Sequence, residues 1–270
     1  MVKRTELALE RFKQSRAEGG SPAPEDRPAP APEIPATIAY TRTRPVDVPV
    51  SLLRDRRVLS ASEPGAYADA YKILRTQVMH RMRENGWSVL AVTSPGEREG
   101  KTLTAINLSI SVGMDSNQTV LLVDADLRNP SIHEVFGLEA DRGLVNYLLD
   151  NVAVEDLLVH PGIQRLVLLP AGPRIQNSVD VLTLPKMIAL VDELKRRYQS
   201  RVVIFDLPPI LQAADVLAFA PYVDAALIVV EAGRTTVESL ERALLLLKGA
   251  TPVIGTVFNK AGRAVSTEAS

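Results

Sequence analysis

Residues 88–108 read SVLAVTSPGEREGKTLTAINL. A short apolar run rich in Val, Leu and Ala gives way to a Pro-Gly loop and restarts at Gly100-Lys101-Thr102 as a helical pattern. A strand that ends in such a loop and reopens as a helix is the local geometry that binds phosphate, because loop N–H groups and the helix N-terminus point at the anion. In the usual spacing, G-x-x-x-x-G-K-[ST], the Lys reaches the β- and γ-phosphates and the hydroxyl holds Mg²⁺. Here the first position is Pro95, so the strict pattern fails at one place. Gly96, Glu99, Gly100, Lys101, Thr102 and Leu103 are the candidate nucleotide contacts, the alternative being an ordinary helix start.

Moving outward, apolar runs alternate with helical patterns. Strands are expected at 88–93, 119–123, 165–169, 201–205, 225–230 and 253–258, and helices at 67–83, 101–114, 185–198 and 237–248. Short Val/Ile/Leu-rich runs between helices indicate an α/β fold, with a mostly parallel central sheet covered by helices on both faces.

Two of these strands end in acids. VLLVDADLRNP places Asp124 and Asp126 at a strand end, and VVIFDLPP places Asp206 at another. Ligands in open α/β sheets bind at that edge. Carboxylates two apart on an extended segment point the same way, so both can face one Mg²⁺ and an incoming hydroxyl. The alternative is a strand end that caps a turn. Asp215 reads either as a helix cap or as support behind the metal. The three sites converge on Mg-ATP phosphoryl transfer or hydrolysis, in which positioning and charge neutralisation do most of the catalysis. Lys101, Asp124 and Asp126 are the candidate catalytic residues. Thr102, Asp124, Asp126 and Asp206 are the candidate Mg²⁺ ligands.

Composition excludes other classes. The 270 residues carry 31 basic and 32 acidic side chains, a net charge of -1, which gives no reason to expect nucleic acid as partner. There is no cysteine, hence no disulfide scaffold and no thiolate chemistry. The three histidines, His80, His133 and His160, are far apart in sequence, which argues against a histidine metal site. No secretory signal and no run of ~18 apolar residues appears, so a soluble, cytoplasmic protein is expected, with any membrane role acting through a partner. Eight of the 19 prolines fall between Pro22 and Pro49. The expected organisation is a short N-terminal helix within 1–19, a Pro/Ala-rich linker at 20–56 and one nucleotide-binding domain at 57–270. The N-terminal helix, with Leu7, Leu9 and Phe12, reads as a frayed end or as a docking helix.

The order SPGEREGKT, LLVDADLRNP, VVIFDLPP resembles the bacterial tyrosine kinases of capsule and exopolysaccharide synthesis, P-loop kinases unrelated to the eukaryotic ones. D-x-D-x-R-x-P after a strand is the discriminating element. The resemblance spans roughly 60–261 and implies an ATP- and Mg²⁺-dependent autokinase that regulates polysaccharide polymerisation and export. It also implies a transmembrane chain-length-determinant protein as a separate activator, recruitment to the inner face of the membrane by that partner, and a ring homo-oligomer. Asp69, Lys72 and Arg75 stand where the family has its E-x-x-R-x-x-R subunit-contact segment, and Asn259 in VFNKAG is implied near the base. The N-terminal helix and linker resemble, more loosely, versions found beside exosortase-linked polysaccharide loci. The family's C-terminal tyrosine cluster has no counterpart, since no tyrosine follows Tyr222. Tyr40 is the most accessible tyrosine by sequence, whereas Tyr67 and Tyr71 are expected to pack on their helix. Two other functions fit the same residues. One is an ATPase switch of the septum-positioning or partitioning type, although the second Lys usual in that loop is missing at 95–99. The other is an ATP-binding regulatory subunit with little kinase activity.

Overall fold

A computed structural model describes residues 43–59, 65–114, 118–139, 141–197 and 201–262. The elements in chain order are β1 (Arg44–Pro45), α1 (Val50–Asp55), α2 (Ala66–Asn85), β2 (Val89–Thr93), α3 (Lys101–Gly113), β3 (Thr119–Asp124), α4 (Ile132–Phe136) and α5 (Leu144–Asp150). They continue with β4 (Val159–His160), β5 (Leu166–Leu169), α6 (Ser178–Leu182), α7 (Pro185–Arg197), β6 (Arg201–Asp206), α8 (Asp215–Phe219), β7 (Ala225–Glu231), α9 (Val237–Leu247) and β8 (Val253–Asn259).

The eight strands form one sheet in the order β1-β4-β5-β3-β6-β2-β7-β8. Every adjacent pair is parallel except β4 with β5. The expected α/β class with a mostly parallel sheet is what forms. β2 is buried along its whole length, as a strand flanked on both faces must be. Its alternating residues feed two cores: Val89 and Ala91 face the side covered by α5 to α9, and Leu90 and Val92 the side covered by α1 to α4. α3 is buried on nearly every side, which explains its apolar and small residues from Thr104 to Gly113.

The structure departs from the expected linker over 43–56. β1 pairs with β4, α1 buries Leu53, and Val48 is also buried. The apolar residues Val46, Val48, Leu52 and Leu53 supply what the Pro/Ala stretch before them lacks. Pro45 does not break the pairing because the donors toward β4 are the N–H groups of Arg44 (to Leu158 O, 3.0 Å) and Val46 (to His160 O, 2.8 Å). The missing proline donor therefore falls on the unpaired side of an edge strand. The expected helix within 1–19 and the linker residues 20–42 lie outside the described residues.

Candidate nucleotide and metal site

β2, β3 and β6 are neighbours, so the loop after β2 and the acids that end β3 and β6 meet at one edge of the sheet. Asp124 lies opposite Asp206, and Val92 opposite Asp206 on the other side. Parallel register thus brings together three motifs, Thr102 lying 104 residues from Asp206 in the sequence.

The phosphate loop is held from several directions. The Glu99 side chain is 4% exposed and folds back over its own loop. It accepts hydrogen bonds from Gly96 N (2.9 Å) and from Thr235 Oγ1 (2.5 Å). Asn259 Nδ2 donates to Glu99 O (2.9 Å) and Lys260 Nζ to Arg98 O (2.7 Å). Gly100 has φ +97°, a conformation that side chains rarely adopt, and a Cβ there would lie 2.0 Å from Asn259 Nδ2. Glycine is therefore required at Gly100 both by the turn and by the close approach of β8. α3 begins at the next residue, so its free N–H groups open on the loop.

Lys101 and Thr102 then meet the acids. Lys101 Nζ donates to Asp126 Oδ2 (2.8 Å) and lies 3.6 Å from Asp206 Oδ1. Thr102 Oγ1 donates to Asp206 Oδ2 (2.6 Å). Asp124 Oδ2 accepts from the N–H groups of Ser131 and Ile132, both at 3.0 Å, and Asp126 Oδ1 accepts from Asn129 N (3.0 Å). The segment after β3 thus wraps around both carboxylates. Burial of Asp124, reinforced by the Asp206 charge, pushes its pKa up to about 8, against the pull of the Ile132 amide. Burial lifts Asp206 to about 6, with Lys101 and Thr102 opposing. Burial pulls the Lys101 ammonium down, but Asp206 and Asp126 outweigh it and hold it above the usual lysine value. Three buried carboxylates against one ammonium leave the cluster short of positive charge.

That shortage is the test of whether Mg²⁺ fits. Asp124 Oδ1 and Asp206 Oδ1 are buried without a hydrogen-bond partner among the described residues, and a buried bare carboxylate oxygen is costly. A hydroxyl and carboxylates form a hard oxygen donor set suited to Mg²⁺. Among the described residues no group of three or more His, Cys, Asp or Glu could hold a metal alone. This agrees with Mg²⁺ practice, in which one or two side chains share the ion with water and substrate phosphates.

Other expected residues find different work. Asp215 opens α8 without making a capping bond, so it is not a helix cap, and it instead pairs with Arg128. Asp69 and Lys72 form an exposed pair with each other at 2.8 Å, while Arg75 donates to Ser111 O (2.9 Å) within the same chain. Leu103 faces a groove of about 770 Å³ that runs from Gly100 and Asn259 past Tyr67, Tyr71 and Leu74. Glu99 and Thr235 were not legible as a pair, because the bond that joins them spans 136 residues and leaves no local pattern. Among the described residues no helix is long and apolar enough to cross a membrane.

A family model described as "AAA domain" matches residues 91–252. The chain is 32% identical over 189 residues to the tyrosine-protein kinase YwqD of Bacillus subtilis (strain 168), covering 70% of this chain and 78% of that one. It is 28% identical over 215 residues to the tyrosine-protein kinase CpsD of Streptococcus agalactiae, covering 79% and 90%. Among solved structures, the BceF tyrosine kinase domain superposes with a TM-score of 0.66 at 26% identity, covering 81% of this chain and 83% of that one.

Proposed function

The chain belongs to the AAA-domain family, among the bacterial tyrosine-protein kinases of capsule and exopolysaccharide synthesis, and on that premise we propose that it transfers the γ-phosphoryl group of Mg-ATP to tyrosine hydroxyls. The observation that carries this reading is the contact of Asp126 Oδ2 with Lys101 Nζ at 2.8 Å. It sets a carboxylate beside the ammonium that reaches the β/γ-phosphates in loops of this kind.

The loop 95–102 and the start of α3 bind the nucleotide phosphates, with the backbone N–H groups of Glu99, Gly100 and Leu103 as candidate donors, while Gly96 N–H is taken by the Glu99 carboxylate. Asn259 and the neighbouring groove take the base end. Thr102 and Asp206 hold Mg²⁺, with Asp124 behind them. When bound, the ion supplies charge neutralisation at the β/γ-phosphates. Lys101 leaves Asp126 for the phosphate oxygens, and the freed Asp126 orients the acceptor hydroxyl and takes its proton.

In this reading the protein regulates polysaccharide polymerisation and export. A transmembrane chain-length-determinant protein activates it and recruits it to the inner face of the membrane. The α2 face carrying Asp69 and Lys72 contributes to a homo-oligomer. The folded kinase body begins by residue 43. The ATPase-switch reading is weaker because the loop lacks a second lysine, Gly96 and Glu97 standing where the chain could offer one. Incubation with γ-labelled ATP, Mg²⁺ and the activator's cytoplasmic segment is the test. Phosphotyrosine is the expected product. Free phosphate alone would establish the switch, and no turnover a regulatory subunit.

A further inference from the structure

Arg128 sits at the tip of the segment that wraps Asp124 and Asp126. Its Nε donates to Ser178 Oγ (2.9 Å) at the start of α6 and lies 3.2 Å from Asp215 Oδ2 at the start of α8. Ser178 and Asp215 are both fully buried. Neither Asp215 oxygen has an aligned hydrogen bond among the described residues, so the Arg128 ion pair is the compensation the structure shows for that charge. A carboxylate stripped of water is stable only against a nearby cation. The dependence runs both ways: the Arg128 side chain is more than a third exposed, and these two contacts fix one edge of its guanidinium.

The same segment has a further tie to the fold on that side, Ile175 N donating to Leu127 O (3.0 Å). Three other bonds of the segment run to the catalytic carboxylates: Asn129 N to Asp126, and Ser131 N and Ile132 N to Asp124. The path from Asp215 to Asp126 is therefore short and continuous. It crosses one ion pair, one residue of backbone and one amide-carboxylate bond.

We propose that Asp215 is a positioning residue for phosphoryl transfer, holding the 124–132 segment through Arg128 so that Asp126 stays aimed at the phosphate end of the site. The proposal rests on the kinase reading for the identity of the transferred group. Asp215 touches neither nucleotide nor acceptor. Its loss leaves the 95–102 loop intact and loosens the partner side of the reaction.

The test uses the full chain with three variants, Asp215→Asn, Arg128→Lys and the paired Arg128→Met/Asp215→Leu. The pair removes both charges together and so restores stability without restoring the tether. In Asp215→Asn, ADP release from Mg-ATP should fall in kcat by ~30-fold, with KM for ATP and ADP affinity within about twofold. Arg128→Lys, which keeps the charge, should show a smaller loss. The paired variant should melt no lower than the unaltered protein yet remain slow. Independently of activity, amide exchange across 128–132 should quicken by ~10-fold in Asp215→Asn while β3 and β6 stay protected. Unaltered exchange in that segment overturns the proposal, as does full activity in the paired variant. Absence of phosphotyrosine in the unaltered protein would instead count against the kinase reading, because ADP would then arise by phosphoryl transfer to water and amide exchange needs no acceptor.

Discussion

Asp124 stands opposite Asp206 in the parallel register of β3 and β6, and both carboxylates are fully buried. Two like charges on adjacent strands, in a site where water is excluded, oppose each other's ionisation. Burial, reinforced by the Asp206 charge, pushes the Asp124 pKa up to about 8, so the nucleotide-free protein at neutral pH holds a proton there that the unfolded chain has already released. A carboxyl raised in the folded state costs nothing below its unfolded value near 4. Its penalty grows as pH climbs and levels off only above the folded value.

The first prediction follows from that sign. Without nucleotide or Mg²⁺, stability should fall between pH 6.5 and 8.5, by ~1–2 kcal/mol from this source, since one linked proton is worth about 1.4 kcal/mol per pH unit. Asp206→Asn removes the second charge and should flatten the decline. Thermal or urea unfolding across that range is the measurement. A stability that is level in the unaltered protein, or a decline equally steep in Asp206→Asn, would contradict the coupling.

The second prediction concerns Lys101. Its ammonium lies within 2.8 Å of Asp126 and 3.6 Å of Asp206, the position of a counter-ion in the absence of metal. Lys101→Met should lose turnover by ~10²-fold or more, because the charge stabilisation of the transferring phosphoryl group goes with it. It should also lower the stability of the nucleotide-free protein, since the acids lose a buried cation. Added Mg²⁺ should recover part of that stability and none of the turnover. Activity near normal in a folded Lys101→Met protein would remove the loop from the mechanism.

Gly100 gives the third prediction. Gly100→Ala meets two separate obstacles, a φ of +97° and a Cβ only 2.0 Å from Asn259 Nδ2. The substitution should cost ~2–3 kcal/mol and weaken ADP binding. Asn259→Ala in the same chain relieves the clash but not the dihedral strain, so it should recover part of the stability. If ADP affinity and unfolding midpoint in Gly100→Ala match those of the unaltered protein, the close packing of β8 on the loop is wrong.

The long elements were legible because a buried parallel strand and an amphipathic helix of ten or more residues each impose a period. α2, α3, α7 and α9 appear within a residue or two of where 67–83, 101–114, 185–198 and 237–248 place them. The short ones carry no full period. β1 spans two residues and β4 two, and α1, α4, α5, α6 and α8 make fewer than three turns, so tertiary packing alone defines them. The site divides in the same way. Lys101, Thr102, Asp124, Asp126 and Asp206 are readable because each lies within two residues of the end of a long element. Glu99 with Thr235, and Arg128 with Asp215, are pairs made by the fold, and nothing within a window of ten residues connects them.

The last prediction concerns self-modification. The tyrosines in the described body are poorly placed as acceptors. Tyr71 is 7% exposed. The Tyr67 hydroxyl donates to Arg57 O (3.2 Å) and accepts from Asn107 Nδ2 (2.9 Å). Tyr147 lies beneath Lys186, with Nζ 4.6 Å from the ring centroid, and Tyr222 packs on Phe219 at 6.2 Å. Freeing Tyr71 requires local opening, whereas Tyr67 is 45% exposed but tied by both bonds of its hydroxyl. Tyr40 lies outside the described residues, but its attachment point is informative. Arg44 is level with Val159, Leu168 and Leu122 across the sheet. Because β4 runs against β5, β1 runs against β3, and Thr43 leaves the sheet on the edge where Asp124 and Asp206 end. β1 stands three strand spacings from β3, about 14 Å, and three residues of chain between Thr43 and Tyr40 add up to ~10 Å. The chain that carries Tyr40 is thus attached at the sheet edge on which Asp124 and Asp206 end. Autophosphorylation should map mainly to Tyr40, and Tyr40→Phe should remove most phosphotyrosine while leaving ATP and ADP affinity unchanged. Peptide mass spectrometry after incubation with Mg-ATP and the activator segment is the check. Phosphate found mainly on Tyr67, Tyr147 or Tyr198, or undiminished in Tyr40→Phe, would falsify the assignment.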